Sequence, residues 1–340
     1  MVKKKGVSMK RLLFVLFLLL SIQSFAVPKG PCDEPMDVCC EEAVGPNAFS
    51  YQSDLGLACP KNFTASGSFL WMAFYEEGLT YAVKVNQGFS QKEKLDFNPG
   101  FRVHFGYEKE FLFEGEWTYI RFKDEDFTEP GTDGLLGSFF PPNAGSLTGA
   151  SSRISGDFNT FDLNLGKRYY VSQYYISTPK FGIQAAWIDQ DLHLRYFVIN
   201  QKENVFCKND YWGVGLKVGY DSEFLVGKNF SIYGNIASAL LFSKFDISQQ
   251  ADNISIYNYQ LEDSFYKVLP NAKIGIGIAY ARFFEKKLTR VQLKVGYEFQ
   301  EWWGMNRLRR PFDADPTGFK TVGRNSLTFN GLVASLNIDI

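Results

Sequence analysis

The connections between the apolar segments of this chain alternate between long and short. After residue 62 the sequence divides into about ten amphipathic β-segments. The long connections are 86–96, 124–156, 200–210, 249–265 and 302–324, and the short ones are 108–110, 171–179, 224–229 and 285–288. When all long connections lie at one end of an antiparallel sheet and all short ones at the other, the pattern is typical of an up-and-down barrel.

The N-terminus has the features of an export signal. Lys3, Lys4, Lys5, Lys10 and Arg11 form a basic region ahead of an unbroken apolar run, Leu12 to Leu20. Ser24-Phe25-Ala26 then supplies the small residues that a signal peptidase recognises, which predicts cleavage after Ala26. The alternative is a retained anchor, but the apolar run is short for a membrane-spanning helix.

Composition narrows the class of protein. Cleavage would remove five basic and no acidic residues, so the formal net charge would fall from −1 to −6, which argues against nucleic acid as a partner. Aromatic residues make up 17 % of the chain, a content that suits strands and interfacial belts. The sequence has no other apolar stretch of helix-spanning length. If the chain crosses a membrane, it must do so as a closed barrel.

Four of the five cysteines precede the first β-segment: Cys32, Cys39, Cys40 and Cys59. They lie in a Pro-, Gly- and acid-rich stretch, 27–62, which shows no periodicity and is interpreted as a periplasmic leader. Export favours disulfides, either within the leader or to other envelope proteins or a second copy. A metal site is the alternative, but the adjacent pair Cys39-Cys40 lacks the spacing of a zinc knuckle.

Alternation within the segments assigns their faces. In RVQLKVGYEFQ (290–300), Val291, Leu293, Val295, Tyr297 and Phe299 share one face, and polar residues and glycine share the other. The same period appears in FRVHFGY, FDLNLGKRY, YWGVGLKVGYD, AKIGIGIAY and LVASLNIDI.

The ten predicted segments are 63–85, 97–107, 111–123, 157–170, 180–199, 211–223, 230–248, 266–283, 289–301 and 325–340. Breaks at 76–78 and 189–191 would give twelve strands instead, so the count is about 10–12. The predicted organisation is a signal peptide at 1–26, the cysteine-bearing leader at 27–62 and a barrel at 63–340.

Two features favour a membrane barrel over a soluble sandwich, in which strands also alternate. The apolar faces begin or end in aromatic residues such as Tyr107, Tyr220, Tyr280 and Tyr297, as interfacial girdles do. The other faces carry glycines and isolated charges, which suits a confined lumen better than an open surface. The sequence therefore predicts an all-β, transmembrane up-and-down antiparallel barrel in a bacterial outer membrane.

Several segments resemble a known family. FLWMAFYEEGLTYAV (69–83), NPGFRVHFGYE (98–108), GIQAAWIDQDLHLRY (182–196) and VGYEFQEWW (295–303) are similar to the pore-forming major outer membrane proteins of Legionella and environmental chlamydiae. The resemblance runs from about residue 63 to the C-terminus. It implies an outer-membrane location and porin-like diffusion, and it carries over no catalytic residues. The leader also resembles the disulfide-cross-linked envelope proteins of chlamydiae.

Charged residues on the polar faces are the candidates for pore lining. They are Arg102, Arg168, Lys217, Lys273 and Lys294 against Glu298 and Asp162, together with Glu114, Glu116 and Asp339. The two signs roughly balance. In an open channel such charges would set ion selectivity, whereas in a narrow barrel they would pair and block it. The sequence leaves both outcomes open, and the connection 124–156 could either constrict the lumen or face outward.

The chain is poor in catalytic constellations. His104 is expected to be one polar lumen residue among many, and His193 follows Asp189 and Asp191 in a pattern that only distantly resembles a rim protease. We therefore expect no enzyme activity, no cofactor and no metal. The leading hypothesis is passive, weakly selective diffusion of small hydrophilic solutes through a barrel surrounded by outer-membrane lipid. The alternative is a structural or adhesive surface barrel that acts through its extracellular loops.

Overall fold

The structure is a computed structural model of the 340-residue chain. It describes residues 51–52, 62–84, 90–91, 97–129, 134–139, 147–172, 174–198, 201–227, 229–252, 259–284, 289–311, 319–321 and 325–340. Every regular element in these ranges is a β-strand. Across the same ranges, no helix has the length and apolarity needed to cross a membrane.

Ten long strands form the main sheet. They are β1 (Phe63–Glu76), β2 (Phe97–Glu108), β3 (Leu112–Thr128), β4 (Gly149–Gly166), β5 (Tyr175–Val198), β6 (Gln201–Leu225), β7 (Phe230–Asp252), β8 (Tyr259–Phe284), β9 (Thr289–Asn306) and β10 (Asn325–Asp339).

Each strand pairs antiparallel with the next one in the chain, and the last pairs with the first. The β10–β1 register runs from Leu327 opposite Glu76 to Asp339 opposite Thr64. At the short-turn end this closure leaves the sheet without a free edge. Toward the long connections, 259–270 of β8 pair only with β7, and 121–128 of β3 pair only with β4. The predicted antiparallel up-and-down barrel is confirmed, with ten strands.

The two breaks that would have given twelve strands do not produce barrel strands. β1 ends at Glu76, but the following piece, Ala82–Lys84, joins a separate three-stranded sheet with Ser90–Gln91 and Leu135–Gly137. β5 runs through 189–191 without interruption.

An apolar band covers the outside of the barrel next to the short turns. Its side chains are large and at least one-third exposed. Those on the face that the alternation predicted include Phe101, Phe105, Leu163, Leu216, Ile276, Val295, Tyr297 and Leu332, and Leu240 on β7 joins them. Aromatic residues border the band at both edges, with Phe63, Tyr107 and Phe230 at the short-turn edge and Trp71, Trp117, Trp187 and Trp212 at the other. Two aromatic edges around an apolar band are typical of a membrane-spanning barrel.

Several strands continue well beyond this band, toward the long connections. The strands β5, β6, β7 and β8 contain 24, 25, 23 and 26 residues, whereas crossing a membrane takes about 9–11. The prediction of a long connection at 200–210 is wrong, since β5 ends at Val198 and β6 begins at Gln201. The connections 124–156, 249–265 and 302–324 are likewise shortened by strand residues at their ends.

The extension forms because the apolar face changes sides within a strand. In β6 the band residues Val214, Leu216 and Val218 face outward, whereas Val205 and Cys207 are buried inside the barrel. Beyond the band the outward face is polar and the inward face supplies a hydrophobic core. Such a segment is stable as a strand in water, so it need not be a loop.

The barrel closes at its short-turn end around both termini of the β-domain. Phe63 N–H donates to Ile340 C=O, and Ile340 N–H donates to Phe63 C=O. Within the predicted leader, Tyr51–Gln52 pairs antiparallel with Tyr169–Ser172. The signal peptide and Cys32, Cys39, Cys40 and Cys59 lie outside the described residues.

Candidate functional site

The lumen at the level of the apolar band contains a buried ion pair. Arg102 on β2 donates from Nη1 and Nη2 to the two carboxylate oxygens of Glu298 on β9, at 2.8 and 2.7 Å. Its Nε donates to Thr118 Oγ1 at 3.0 Å. A bidentate pair of this kind is strong and geometrically fixed. It ties together two walls of the barrel that are three strands apart.

A second ion pair crosses the full width of the lumen. Lys273 Nζ on β8 lies 3.0 Å from Glu116 Oε1 on β3. In a closed sheet of ten strands, β3 and β8 are five strands apart and therefore opposite each other. A direct contact between opposite walls leaves no open passage on the line between them.

A third cluster surrounds Asp162. Lys217 Nζ donates to its Oδ2 at 2.6 Å, and Gln184 Nε2 donates to its Oδ1 at 2.8 Å. Asn271 Nδ2 in turn donates to Gln184 Oε1 at 2.7 Å. Paired and hydrogen-bonded charges are the form in which ionic groups are tolerated in a barrel interior.

The structure therefore places the predicted pore-lining residues as follows. Six of them lie on the inward faces of strands: Arg102, Asp162, Lys217, Lys273, Lys294 and Glu298. The seventh, Arg168, follows β4 at the short-turn end and forms an ion pair with Glu108 at 3.2 Å. Their role as the lining of a conducting pore stays a prediction.

Lys294 differs from the other lumen cations. Its Nζ lies 5.5 Å from the centre of the Tyr233 ring, a cation–π contact. The Tyr233 ring lies flat along the wall because Gly277 and Gly296 have no Cβ; a Cβ at Gly277 would be 2.7 Å from the ring. The sequence placed glycines on the lumen face, and here they make room for this ring inside a narrow barrel.

A polar cavity of ≈ 360 Å³ occupies the short-turn end of the lumen. Lys180, Glu114, Asp221 and Glu223 are among its lining residues, and it extends to the β6–β7 turn at Asn229. Lys180 Nζ contacts both Glu114 Oε2 and Asp221 Oδ2 at 2.5 Å. The charges that face this cavity are therefore largely paired with each other.

Beyond the ion pairs, an aromatic plug fills the lumen toward the long connections. It consists of inward-facing rings from seven strands: Phe74, Phe122, Phe158, Tyr211, Phe245, Trp302 and Phe329. Phe74 stacks on Phe122 with ring centres 4.3 Å apart. Phe158 on β4 meets Trp302 on β9, the opposite strand, at 5.4 Å. The plug thus joins opposite walls with rings that have almost no exposed surface.

Sequence reasoning missed this plug. Within each strand the plug residues are an odd number of positions from the band residues, so they face the opposite side of the sheet, as Phe158 does relative to Phe161. That change of parity was the available signal. Six of the seven lie within the predicted segments and only Trp302 lies in a predicted connection, but the sequence assigns faces from the band residues alone.

A buried polar chain runs beside the plug, outside the apolar band. Glu76 lies beyond Trp71, the last outward aromatic residue of β1 in the band, and accepts a hydrogen bond from Gln190 Nε2 at 2.7 Å. Asn209 Nδ2 donates to Gln190 Oε1 at 2.8 Å. Burial raises the pKa of Glu76 to about 8, against a smaller lowering effect of the Gln190 hydrogen bond.

The residues considered for a rim enzyme do not form a catalytic pair. His193, Asp189 and Asp191 are two residues apart, so all three face outward from the wall. His193 Nε2 lies 3.4 Å from Asn204 Oδ1, and its ring stacks on Phe206. Among the described residues, no group of three or more His, Cys, Asp or Glu side chains is arranged to hold a metal ion.

The fold and the lumen define the class of protein: a transmembrane β-barrel with an apolar outer band and a charged interior. A family model described as the Legionella pneumophila major outer membrane protein precursor matches residues 59–340. The chain belongs to this family, and its location is the outer membrane. The short turns then face the periplasm, and the extended strand ends face the cell exterior.

Solved structures give more distant similarities. The outer membrane protease OmpT from Escherichia coli is 9 % identical, with 82 % of this chain and 96 % of that chain covered and a TM-score of 0.47. The attachment invasion locus protein Ail of Yersinia pestis is 12 % identical (81 % and 97 % covered, TM-score 0.27). The Pseudomonas putida toluene transporter TodX is 8 % identical (82 % and 90 %, TM-score 0.28). At these TM-scores the similarities carry no argument about function. No curated protein matches the chain.

Proposed function

We propose that this protein is a structural barrel of the outer membrane that displays a folded β-extension at the cell surface and keeps its lumen closed. The observation that carries the proposal is the pair of contacts between opposite walls: Lys273 with Glu116 in the membrane, and Phe158 with Trp302 above it. The proposal assigns no catalytic step to the chain.

The closed lumen follows from the size of the barrel. A barrel of about eight strands is filled by its own side chains, and wide aqueous channels occur at about 16–18 strands. Ten strands lie near the lower limit. Here the interior is occupied by paired charges at one level and by packed rings at the next, in the part of the chain that the structure describes.

Passive, weakly selective diffusion of small hydrophilic solutes is the second candidate. It is favoured by the polar cavity of ≈ 360 Å³ at the periplasmic end, which would be the entrance of a channel. For such passage the aromatic plug would have to be displaced. The lining charges, Lys217, Lys273 and Lys294 among them, would then set the ion preference.

Planar-bilayer conductance separates the two candidates. Residues 27–340 would be refolded in detergent, and folding would be verified by heat-modifiable migration in electrophoresis. We expect no discrete current steps from the unaltered chain. We expect steps from a triple variant, Phe158→Ala, Trp302→Ala and Lys273→Ala, because it removes both contacts between opposite walls.

The matched control is the double variant Phe161→Ala and Trp303→Ala. These residues are similar in type and close in sequence to the plug residues, but they face outward. The control should stay silent. Discrete steps from the unaltered chain that change in size or ion preference with Lys217→Glu would contradict the proposal and establish diffusion instead.

The leader cysteines suggest a partner. Cys32, Cys39, Cys40 and Cys59 are proposed to form disulfides, within the leader or to other envelope proteins or a second copy, after the signal peptide is cleaved. Cys207 is excluded from this role in the folded barrel, because its thiol is buried in the extension.

A further inference from the structure

The outer surface of the extension carries a groove that crosses four strands, β5 to β8. It encloses ≈ 350 Å³, and its floor is the backbone at Leu192, Cys207 and Gln249, which are consecutive partners across the sheet. Since neighbouring strands are about 4.8 Å apart, four strands make a groove about 14 Å long. Its two walls are the rows of outward side chains on either side of this floor.

The wall farther from the membrane carries an aromatic platform. Phe206 is 43 % exposed although it lies above the apolar band, and the His193 ring stacks on it at 4.3 Å and 16°. Gln250 and Gln260 continue the same row on β7 and β8. The two stacked rings form one contiguous aromatic surface rimmed by polar residues, an arrangement found at ligand-binding grooves.

The wall nearer the membrane is polar. Asp191, Lys208, Ser248 and Glu262 are partners across the four strands. Lys208 Nζ is already paired with Asp210 Oδ2 at 2.6 Å. Gln260 Nε2 donates to Glu262 Oε1 at 3.0 Å, and Gln250 Nε2 donates to Asp252 Oδ1 at 2.8 Å. The groove therefore offers the oxygen atoms of two carboxylates and two amides together with the Ser248 hydroxyl, and its one lysine is neutralised from outside.

This combination fits a saccharide. The face of an aromatic ring is negative and attracts the positively polarised C–H groups on one side of a sugar ring. Carboxylates accept hydrogen bonds from the hydroxyl groups on its edge, and amides and hydroxyls both accept from these groups and donate to them. A phosphate group would instead meet the carboxylates of Asp191 and Glu262 and be repelled.

The position of the groove indicates where the saccharide comes from. Asp191 is four residues beyond Trp187 at the outer edge of the apolar band, which places the groove roughly 10 Å above that edge for a tilted strand. The groove also faces sideways, away from the barrel wall. A ligand at this height and in this direction belongs to molecules that surround the barrel in the outer leaflet.

We propose that the outer groove binds the sugar moiety of a neighbouring outer-leaflet glycolipid, with Phe206 and His193 as the stacking platform and Gln250 and Glu262 as hydrogen-bonding groups. This site is on the outside of the wall, so it does not depend on whether the lumen conducts. Through it, the extension would be fixed laterally to the saccharide layer of the outer membrane.

The test is saturation-transfer NMR and titration with a defined probe. The probe is the phosphate-free oligosaccharide released from the lipopolysaccharide of a Gram-negative outer membrane, added to residues 27–340 refolded in detergent. We expect saturable binding and at least a tenfold loss of affinity with Phe206→Ser. Gln250→Ala should weaken binding by about threefold, since it removes one polar contact and leaves the platform.

The matched control is Phe127→Ser, which removes another exposed aromatic side chain from the outer face of the extension, on β3. It should change affinity by less than twofold. Heat-modifiable migration verifies folding of each variant. No saturable binding, an equal loss in the two Phe→Ser variants, or binding of phosphorylated lipid A that Phe206→Ser leaves unchanged would each overturn the proposal.

Discussion

The membrane-embedded half of the barrel and its extracellular extension have opposite polarity, although the strands β3 to β8 run through both. In the embedded half the outside is apolar, as at Leu216 and Ile276, and the inside holds ion pairs such as Arg102–Glu298. In the extension the outside carries Asp246 and Lys208, and the inside is a hydrophobic core. One sheet therefore faces lipid in the embedded half and water in the extension.

The comparison separates a feature that depends on the solvent, the placement of apolar residues, from one that depends on the strands themselves, their backbone pairing. Backbone pairing is antiparallel in both halves, and the registers of β3 to β8 continue from the embedded half into the extension. Only the assignment of apolar residues to a face changes, because lipid requires an apolar outer surface and water requires an apolar interior. The switch on β6 occurs between Tyr211, which is buried inside, and Trp212, which faces out.

The largest expected effect comes from removing one partner of an ion pair in the lumen of the embedded half. Arg102→Ala leaves Glu298 as a buried carboxylate without its bidentate partner, so we expect a loss of about 3–5 kcal/mol in the free energy of unfolding. Urea unfolding in lipid vesicles, followed by tryptophan fluorescence, measures it.

The control for this prediction is a double variant, Arg102→Met with Glu298→Leu. It replaces both charges by apolar groups of similar size, and we expect it to cost clearly less than the single change. Equal losses in the single and double variants would mean that the two side chains stabilise the barrel through packing alone. The pairing of charges would then not explain why charged residues line the embedded half.

A smaller effect should come from placing one charge on the outside of each half. Leu240 and Ser248 lie on the same face of β7, but Leu240 is in the apolar band and Ser248 is above it. We expect Leu240→Lys to destabilise the barrel by about 2–4 kcal/mol and Ser248→Lys by less than about 0.5 kcal/mol. The same vesicle unfolding assay compares them. Similar losses at the two positions would place the membrane boundary elsewhere on β7.

Much of the embedded half could be predicted from the sequence. The alternation at 290–300 assigned Val295 and Tyr297 to the outer face, and both are exposed there. The spacing of such segments predicted about 10–12 strands, and the barrel has ten. These features depend only on the local period of the apolar residues and on the lipid around the barrel. The alternation within a single segment is enough to predict them.

The extension and the contacts inside the lumen could not be predicted in the same way. The predicted loop at 200–210 contains Val205 and Cys207 at alternate positions. They lie on the opposite face from the band residues of β6, so the apolar alternation of the band does not continue into this stretch. The pairing of Lys273 with Glu116 joins residues 157 positions apart. Which side chains meet across a lumen depends on strand tilt and stagger, and neither can be deduced from one segment's pattern.

A prediction whose effect is small for each pH unit tests the interior of the extension by pH. Burial holds the pKa of Glu76 at about 8, above its ordinary value of 4.5, so between these values the folded state keeps a proton that the unfolded state has lost. Stability should therefore fall as the pH rises through this window, by up to about 1.4 kcal/mol per pH unit. In Glu76→Gln this contribution should disappear, whereas Glu262→Gln, which changes an exposed carboxylate on the outer face, should keep the slope of the unaltered chain. The measurement is urea unfolding at pH 5, 6, 7 and 8. A slope that survives in Glu76→Gln would mean that the Glu76 carboxyl is hydrated, and that the core of the extension admits water beside the plug.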